Sequence, residues 1–481
     1  MQMTKKTGLT TFALVLLITS AIDSIRNLPA TALFGSSLIF FFTFSAIVFL
    51  IPAALVSAEL SSFRHDKAGI YEWVKLALGE KAALLAVWLQ WINTMVWFPS
   101  ILSFLAGTAT YFIDPALAQS KTYLVTVILS VFWTLTFLNL KGIHTSAKFV
   151  NVCTSLGMII PMALIITLAI VWVVSGQPLQ IHFTSSSMLP SLSHMDNWIS
   201  LTAIMTAFLG TELATVHIKA VNNPQQTFPK ALYFSVLLIL TTMILGSLAI
   251  ALVLPQNQID LVDGVMQAFT NFFAHYHMTW LIPVITAMIL IGSLGSMVSW
   301  IISPAKGLLQ AAESGYLPPF LLKQNQNGVA SNLLIVQAIL VSIVCMAFAL
   351  MPSVNGSYWL LTALSTQLYM LMYVFMFVAA IILKYKLASQ PRAFTIPGKN
   401  LGMWFVCLLG LVGCAITLAV GFIPPTGIDV GTTLHYELMF IGGMVGMISP
   451  VLFCYLYKNK VSVEGLIKNG QRSKLAAEAA K

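Results

Sequence analysis

The stretch Ser20-Ala-Ile-Asp-Ser-Ile-Arg-Asn-Leu-Pro29 lies in the middle of the first apolar segment of the chain, residues 9–34. It places an acid at Asp23, a base at Arg26 and a proline at Pro29 where a membrane-spanning segment would cross the bilayer centre. Charged side chains are costly at that depth and by default mark a substrate or ion pathway. The stretch therefore predicts a functional interruption within a spanning segment.

The composition supports a membrane location. Of the 481 residues, 58% are apolar and only 8% are charged, and the mean hydropathy is +0.89. A soluble domain carries about 25% charged residues, so the chain is predicted to be an integral membrane protein with one membrane domain. The first segment is too long for a signal peptide and lacks a small-residue cleavage site, so it is expected to remain as a span.

Apolar runs of about 20 residues predict membrane-spanning helices. Twelve such segments occur, between a short N-terminus at 1–8 and a basic tail at 458–481. The predicted transmembrane domain therefore covers residues 9–457. The segments are 9–34, 38–58, 82–112, 122–140, 148–175, 198–219, 231–254, 278–303, 332–351, 358–383, 402–423 and 435–457.

The distribution of lysine and arginine predicts the orientation of the chain. With the N-terminus in the cytoplasm, every lysine and arginine except Lys121 and Arg26 falls in a cytoplasmic loop or terminus. The external loops 176–197 and 255–277 carry no lysine or arginine. This asymmetry predicts a multi-pass protein of the cell inner (plasma) membrane with both termini cytoplasmic. It also accounts for the net charge of +9 without nucleic acid as a partner.

The sixth segment is interrupted like the first, since it carries Gly210, Thr211 and Glu212 near its midpoint. A matched pair of interrupted segments five helices apart points to an inverted-repeat transporter with a site near the midplane. Unwound backbone at that depth is tolerated only where it lines a cavity or is buried in protein. Motifs for phosphate loops, metal ligation or nucleophile elbows are missing from the sequence, so no enzyme and no cofactor or metal are predicted.

Several motifs resemble those of one transporter superfamily. They are Ala58-Glu-Leu60, Ala68-Gly-Ile-Tyr-Glu-Trp-Val74, Gly210-Thr-Glu212, Ser299-Trp-Ile-Ile-Ser-Pro304 and Arg392-Ala-Phe-Thr-Ile-Pro-Gly398. The chain resembles the amino acid–polyamine–organocation (APC) superfamily, and within it the bacterial glutamate/γ-aminobutyrate antiporter family.

This resemblance implies an all-α membrane fold of twelve helices, with helices 1 and 6 discontinuous. Five helices (9–175) and five more (198–383) would form an inverted repeat, followed by two extra helices (402–457). It further implies alternating access around a central site, in which Ile22-Asp23-Ser24 replaces the usual glycine-containing turn. Tyr369 and Tyr373 match aromatic positions of the tenth helix.

The chain also departs from that family. Glutamate antiporters carry an aromatic residue near the position of Arg26 and an acidic one where this chain has Ser296. Well-known members end in a long histidine-bearing tail that plugs the inner mouth, whereas residues 458–481 are short, basic and free of histidine. A matching plug is therefore not expected, and the substrate preference is expected to depend on Arg26, Ser296, Tyr369 and Tyr373.

The predicted site residues have alternative interpretations. Asp23 and Arg26 are three residues apart and would share one face of an intact helix, where they could neutralise each other. Alternatively, Arg26 binds a substrate carboxylate and Asp23 its ammonium group. Glu212 and Asp23 are candidates for carrying a proton during coupling, although Glu212 could instead hold unwound backbone together. Backbone groups of Gly210 and Thr211 are suited to a carboxylate.

The sequence thus predicts an amino-acid transporter that exchanges glutamate or a related small amino acid for another amino acid or amine. A proton-coupled amino-acid symporter is the alternative, and a sensor that binds an amino acid without transporting it is a more distant one. The expected partners are a small amino-acid substrate and the lipid bilayer, and the sequence leaves a homo-oligomer open.

Overall fold

A computed structural model describes residues 10–62, 69–142, 152–153, 155–190, 198–212 and 223–458. Most of these residues are helical, and the pairing between Gln324 and Ala330 is an isolated bridge outside any strand. Long apolar runs adopt helices because a helix satisfies its backbone polar groups within its own segment, which hydrocarbon requires.

The α-helices of the described residues are numbered in chain order. They are α1 (Thr11–Ile22), α2 (Leu28–Ala32), α3 (Leu38–Ser45), α4 (Ile51–Ser61), α5 (Ile70–Leu78), α6 (Glu80–Ala109), α7 (Lys121–Leu140), α8 (Ile160–Val174), α9 (Ser185–Met188), α10 (Ser200–Ala207), α11 (Pro224–Val253), α12 (Gly264–His275), α13 (Ile282–Glu313), α14 (Ser331–Cys345), α15 (Ala347–Leu350), α16 (Val354–Lys386), α17 (Lys399–Val420) and α18 (Thr433–Ile448).

Within the described ranges, nine continuous helical stretches are long and apolar enough to cross a membrane. Each overlaps one of the twelve predicted segments. The other three predicted segments contain the broken helices and α13, which continues to Glu313 and so passes the predicted end at 303. The nine stretches are Gly35–Ser61, Glu80–Phe112, Lys121–Leu140, Leu156–Val174, Pro224–Val253, Ser331–Leu350, Val354–Lys386, Lys399–Val420 and Thr433–Lys458.

The first segment is interrupted at the stretch that contains both charges. Helix α1 ends at Ile22, and Ser24 is extended with φ −153° and ψ 119°. A 3₁₀ turn over Ile25–Asn27 follows, and α2 then begins at Leu28 with Pro29 in its first turn. Proline suits that position because the first backbone N–H groups of a helix have no internal acceptor.

The sixth segment is interrupted as well. Helix α10 ends at Ala207, and the chain turns through Phe208, Leu209 and Gly210. Gly210 has φ +98°, a backbone conformation that residues other than glycine rarely adopt. Residues 211 and 212 are helical again, and the remainder of the predicted segment lies outside the described residues.

Helix α13 lies in direct backbone contact with the π-helical turn Ser155–Ile159 that precedes α8. At the crossing point, a Cβ atom added to Gly157 would lie 2.3 Å from the Cα of Gly292, and the reverse distance is also 2.3 Å. The two segments can approach this closely only because neither residue has a side chain.

Replacing Gly157 with alanine is therefore expected to destabilise the protein. The added methyl group meets backbone on the opposite helix, and overpacking of this kind costs about 1–3 kcal/mol or more. Thermal unfolding in detergent would measure the loss. Gly446→Ala in α18 is the matched control, because nothing lies within 4 Å of its added Cβ. Equal melting temperatures for the two variants would contradict the close crossing.

A buried ion cluster joins the end of α4 to the end of α16. Glu59 is fully buried and accepts hydrogen bonds from Lys384 Nζ at 2.7 Å and from the Ile396 backbone N–H at 2.7 Å. Its carboxylate also forms an ion pair with Arg392. The two motifs that contain Glu59 and Arg392 thus meet in space, although they are more than 300 residues apart in the chain.

Candidate functional site

A cavity of about 200 Å³ lies where the two interrupted segments meet α6, α13 and α16. Six of the predicted site residues line it: Ile22, Asp23, Ser24, Arg26, Gly210 and Tyr369. At the interruptions, backbone polar groups and polar side chains are directed towards the cavity. A continuous helix would instead use its backbone polar groups in its own hydrogen bonds.

Arg26 is buried in the cavity wall, with 6% of its surface exposed. One of its terminal nitrogens, Nη1, donates to the Ser100 hydroxyl at 3.1 Å and more weakly to the Tyr358 hydroxyl at 3.5 Å. The guanidinium carbon lies 5.6 Å from the centre of the Trp97 ring, a distance that permits a cation–π interaction. The buried Nε atom has no hydrogen-bond partner among the described residues. Arg26 therefore retains capacity to bind an anion.

Asp23 is also buried, and its carboxylate contacts α11, whereas Arg26 contacts α6 and α16. Its Oδ2 accepts a hydrogen bond from the Thr242 hydroxyl of α11 at 2.8 Å, while its Oδ1 has no partner among the described residues. Within the described part of the chain, no ion pair joins Asp23 to Arg26. The shared helical face disappears because α1 ends at Ile22, so this geometry does not support direct mutual neutralisation.

Glu212 lies behind the cavity wall and binds three donors. Tyr369 Oη donates to it at 2.5 Å, Gln90 Nε2 donates at 3.0 Å, and the Tyr373 hydroxyl donates to its second oxygen. These contacts join Glu212 of the sixth segment to α6 and α16.

Tyr373 does not line the cavity. It is fully buried, and its hydroxyl accepts the Gly210 backbone N–H at 3.1 Å and lies 3.2 Å from the Thr211 hydroxyl. It thereby occupies a backbone donor that sequence analysis assigned to a substrate carboxylate. Thr211 is buried with it. In this structure Tyr373 and Thr211 position the unwound backbone.

Ser296 belongs to α13 by its backbone, and its side chain lies outside the described residues. Sequence reasoning missed other polar cavity residues, notably Asn93 and Thr94 of α6 and Ser365 of α16. The Ser365 hydroxyl donates to the Asn93 side chain. An adjacent asparagine and threonine inside an apolar run is a signal that could have identified the α6 pair.

Within the described residues, no group of three or more histidine, cysteine, aspartate or glutamate side chains is placed to hold a metal ion. The site therefore consists of two opposite charges, hydroxyl and amide groups, and aromatic rings. This chemistry suits an organic zwitterion.

Residues 9–445 match the amino acid permease family. An uncharacterized transporter of Legionella pneumophila is 40% identical over 440 residues, which cover 92% of this chain and 95% of the relative. A glutamate/γ-aminobutyrate antiporter of Lactococcus lactis is 28% identical over 455 residues, which cover 93% of this chain and 90% of that one.

Among solved structures, a manganese transporter of Eremococcus coleocola matches with a TM-score of 0.56 and 12% identity, covering 94% of this chain and 95% of that chain. At this identity the likeness shows a shared fold and nothing about the substrate. The matched family and relatives are transporters, and together with the apolar helices they indicate a multi-pass membrane protein that transports amino acids. The chain belongs to the amino acid permease family.

Proposed function

We propose that the protein exchanges glutamate or a related small amino acid for another amino acid or amine across the cell inner membrane. The observation that carries this proposal is the pair of buried, opposite charges on one cavity wall, Asp23 and Arg26. Each keeps an atom without a hydrogen-bond partner among the described residues, Oδ1 of Asp23 and Nε of Arg26. Both side chains also line the cavity, so a bound zwitterion would place opposite charges beside them, and unpaired buried charges are otherwise costly.

The cavity volume supports a small substrate. At about 200 Å³ it is smaller than the roughly 300–1,000 Å³ of pockets for drug-sized ligands. It is larger than a cavity of about 150 Å³ that holds benzene. An amino acid with a short polar side chain fits between these limits.

Each charged residue has a distinct proposed role. Asp23, which lines the cavity, binds the substrate ammonium group. Arg26 binds a carboxylate, for which its planar guanidinium is well suited. Tyr369 and Ser24 line the same cavity and contribute to side-chain selectivity, as does Ser296 in the eighth predicted helix. The name of the Lactococcus lactis relative, a glutamate/γ-aminobutyrate antiporter, supports a substrate with a carboxylate.

We also propose the membrane arrangement that the sequence predicts: twelve spans, an inverted repeat over 9–175 and 198–383, and both termini in the cytoplasm. The meeting of the two interrupted segments at one cavity supports this arrangement, since inverted-repeat transporters place their site there. Transport would proceed by alternating access to this cavity from the two sides.

A proton-coupled symporter is the second candidate, and one observation favours it. Oδ1 of Asp23 is buried without a donor, so this carboxyl is suited to taking up and releasing a proton. Glu212 is the other predicted proton carrier, but its three donors favour a structural role.

Counterflow into reconstituted vesicles would test the exchange proposal. Vesicles loaded with unlabelled glutamate are expected to accumulate labelled glutamate, while empty vesicles and protein-free vesicles stay near background. Uptake into empty vesicles driven by an imposed pH gradient would instead indicate symport. If no amino acid of a complete panel is taken up at mildly acidic or neutral pH, the proposal is wrong.

A further inference from the structure

The loop between α11 and α12, residues 255–263, lies on the side of the protein that the charge asymmetry predicts to be external. We call this segment the outer loop. A Cβ atom added to Gly107 of α6 would lie 2.5 Å from Val262, so the loop packs tightly on α6. Its Leu261 N–H donates to Asn355 Oδ1 of α16 at 2.8 Å. Gly264, directly after the loop, packs against Pro29 of α2. The outer loop therefore contacts α6 and α16, and the residue that follows it contacts α2.

Two aspartates of the outer loop have different hydrogen-bond partners. Asp260 accepts from Gln267 Nε2 at 2.6 Å and from Asn355 Nδ2 at 3.1 Å. Burial raises the pKa of Asp260, and these two amide donors oppose that rise because they stabilise the ionised carboxylate.

Asp263 has fewer hydrogen-bond donors than Asp260. It is buried, with 3% of its surface exposed. Its Oδ2 accepts from the Tyr111 hydroxyl at 2.9 Å, and its Oδ1 is buried without a partner among the described residues. An ionised Asp263 would have one carboxylate oxygen without a donor, which makes its buried charge costly. A protonated carboxyl carries no charge and avoids that cost.

No described cation compensates a charge on Asp263. The titratable groups that act on it are Asp260 of the same loop and Tyr111 in the 3₁₀ turn after α6. Helix α16 presents only the amide of Asn355 to this cluster, and α12 presents the amide of Gln267. α2 presents the apolar Pro29 to the adjacent Gly264.

Lys121, the cation that the sequence places on this side, is engaged elsewhere, since its Nζ donates to the Met351 carbonyl oxygen at 2.6 Å. Burial, followed by the negative charge of Asp260, raises the pKa of Asp263 to about 7.

We propose that Asp263 is a proton-binding site and that the proton keeps the outer loop packed on α6 and α16. With the proton bound, a neutral carboxyl sits beside the anionic Asp260 and the Tyr111 hydroxyl. When the proton leaves to the external medium, two negative charges share a buried site with too few donors, and the loop lifts so that water can solvate Asp263.

The sign of the pH dependence follows from linkage. The pKa of Asp263 is about 7 in the packed loop, against 3.8 for an ordinary aspartate. Below pH 3.8 the bound proton stabilises the packed loop relative to the lifted loop to the full extent. This stabilisation is lost as the pH rises from 3.8 towards 7. Above that pH both states are ionised, and no further change is expected. Within the window, each pH unit shifts the ratio of packed to lifted loop by up to about tenfold.

Hydrogen exchange of the outer-loop amides in the full-length protein in lipid nanodiscs tests the proposal, after correction for intrinsic exchange at each pH. Protection of residues 255–263 is expected to fall by up to about tenfold per pH unit from about pH 5 to 7 and then to level off. Asp263→Asn mimics the protonated carboxyl and should keep the loop packed, without pH dependence. Asp114→Asn, at an exposed aspartate on the same predicted side, should behave like the unmodified protein.

A second variant keeps the proposal testable if Asp263→Asn fails to fold. Asp260→Asn removes the neighbouring negative charge, so it should lower the pKa of Asp263 and move the transition to lower pH. An unchanged transition in Asp260→Asn, or a pH dependence that persists in Asp263→Asn, would overturn the proposal. Because the measurement uses no substrate, its outcome is independent of which solute is transported.

Discussion

Arg26→Ala is expected to lower counterflow uptake by about 30- to 3,000-fold, the equivalent of about 2–5 kcal/mol for losing one partner of a buried charge interaction. The reason is that Arg26 provides a cation on the cavity wall, with Nε free of partners among the described residues. Its observed contacts are with the hydroxyls of Ser100 and Tyr358 and the Trp97 ring. Among the described residues no carboxylate forms an ion pair with it, so its removal leaves no ion-pair partner behind, and the melting temperature should change little.

Two further variants sharpen this test. Arg26→Lys keeps the positive charge but loses the planar guanidinium group, which can donate two parallel hydrogen bonds to a carboxylate. Its uptake should therefore lie between those of the unmodified protein and Arg26→Ala. Tyr358→Phe removes a neighbouring hydroxyl and no charge, and it should retain most of the uptake. Normal transport by Arg26→Ala would show that Arg26 is not a substrate ligand.

Substrate-induced thermal stabilisation gives a second readout for Arg26. A ligand that binds the folded protein raises its melting temperature, and this shift should vanish in Arg26→Ala. If Arg26→Ala does not fold, the residue has a structural role, and Arg26→Lys then reports whether the guanidinium is needed for binding.

Glu59→Gln is expected to lower the free energy of unfolding by about 3–5 kcal/mol. Glu59 is fully buried and is the carboxylate that neutralises Lys384 and Arg392 in their ion pairs. Glutamine keeps the shape and one acceptor oxygen but removes the negative charge. Lys384 and Arg392 would then lie close together without a compensating anion and with little access to water. The loss of free energy of unfolding is therefore expected to exceed that for a surface ion pair.

Thermal unfolding in nanodiscs would measure the effect of Glu59→Gln, with Glu72→Gln on the partly exposed face of α5 as the matched control. Adding Lys384→Met to Glu59→Gln removes one uncompensated cation and should restore part of the stability. Indistinguishable melting temperatures for Glu59→Gln and Glu72→Gln would show that the cluster contributes nothing to stability.

Much of the fold was accessible from the sequence because the bilayer imposes simple rules. Apolar runs must be helical, and charges must avoid the hydrocarbon unless they have a task. The charges at Asp23 and Arg26 and the polar run Gly210–Glu212 therefore marked the two interruptions without any structure. The role of Tyr373 was harder to read, because an aromatic residue on a helix can face a cavity or the backbone behind it.

Hydrophobicity and charge placement are local properties, so a helical membrane protein with two interrupted segments could be predicted from the sequence alone. The separation of Asp23 from Arg26 could not be predicted in this way, because it depends on contacts with distant helices. Arg26 binds hydroxyls 74 and 332 residues away, and Asp23 binds one 219 residues away. Which side chains meet at the cavity, and which polar atoms remain unpaired, depends on which helices pack together, and these contacts join residues far apart in the sequence.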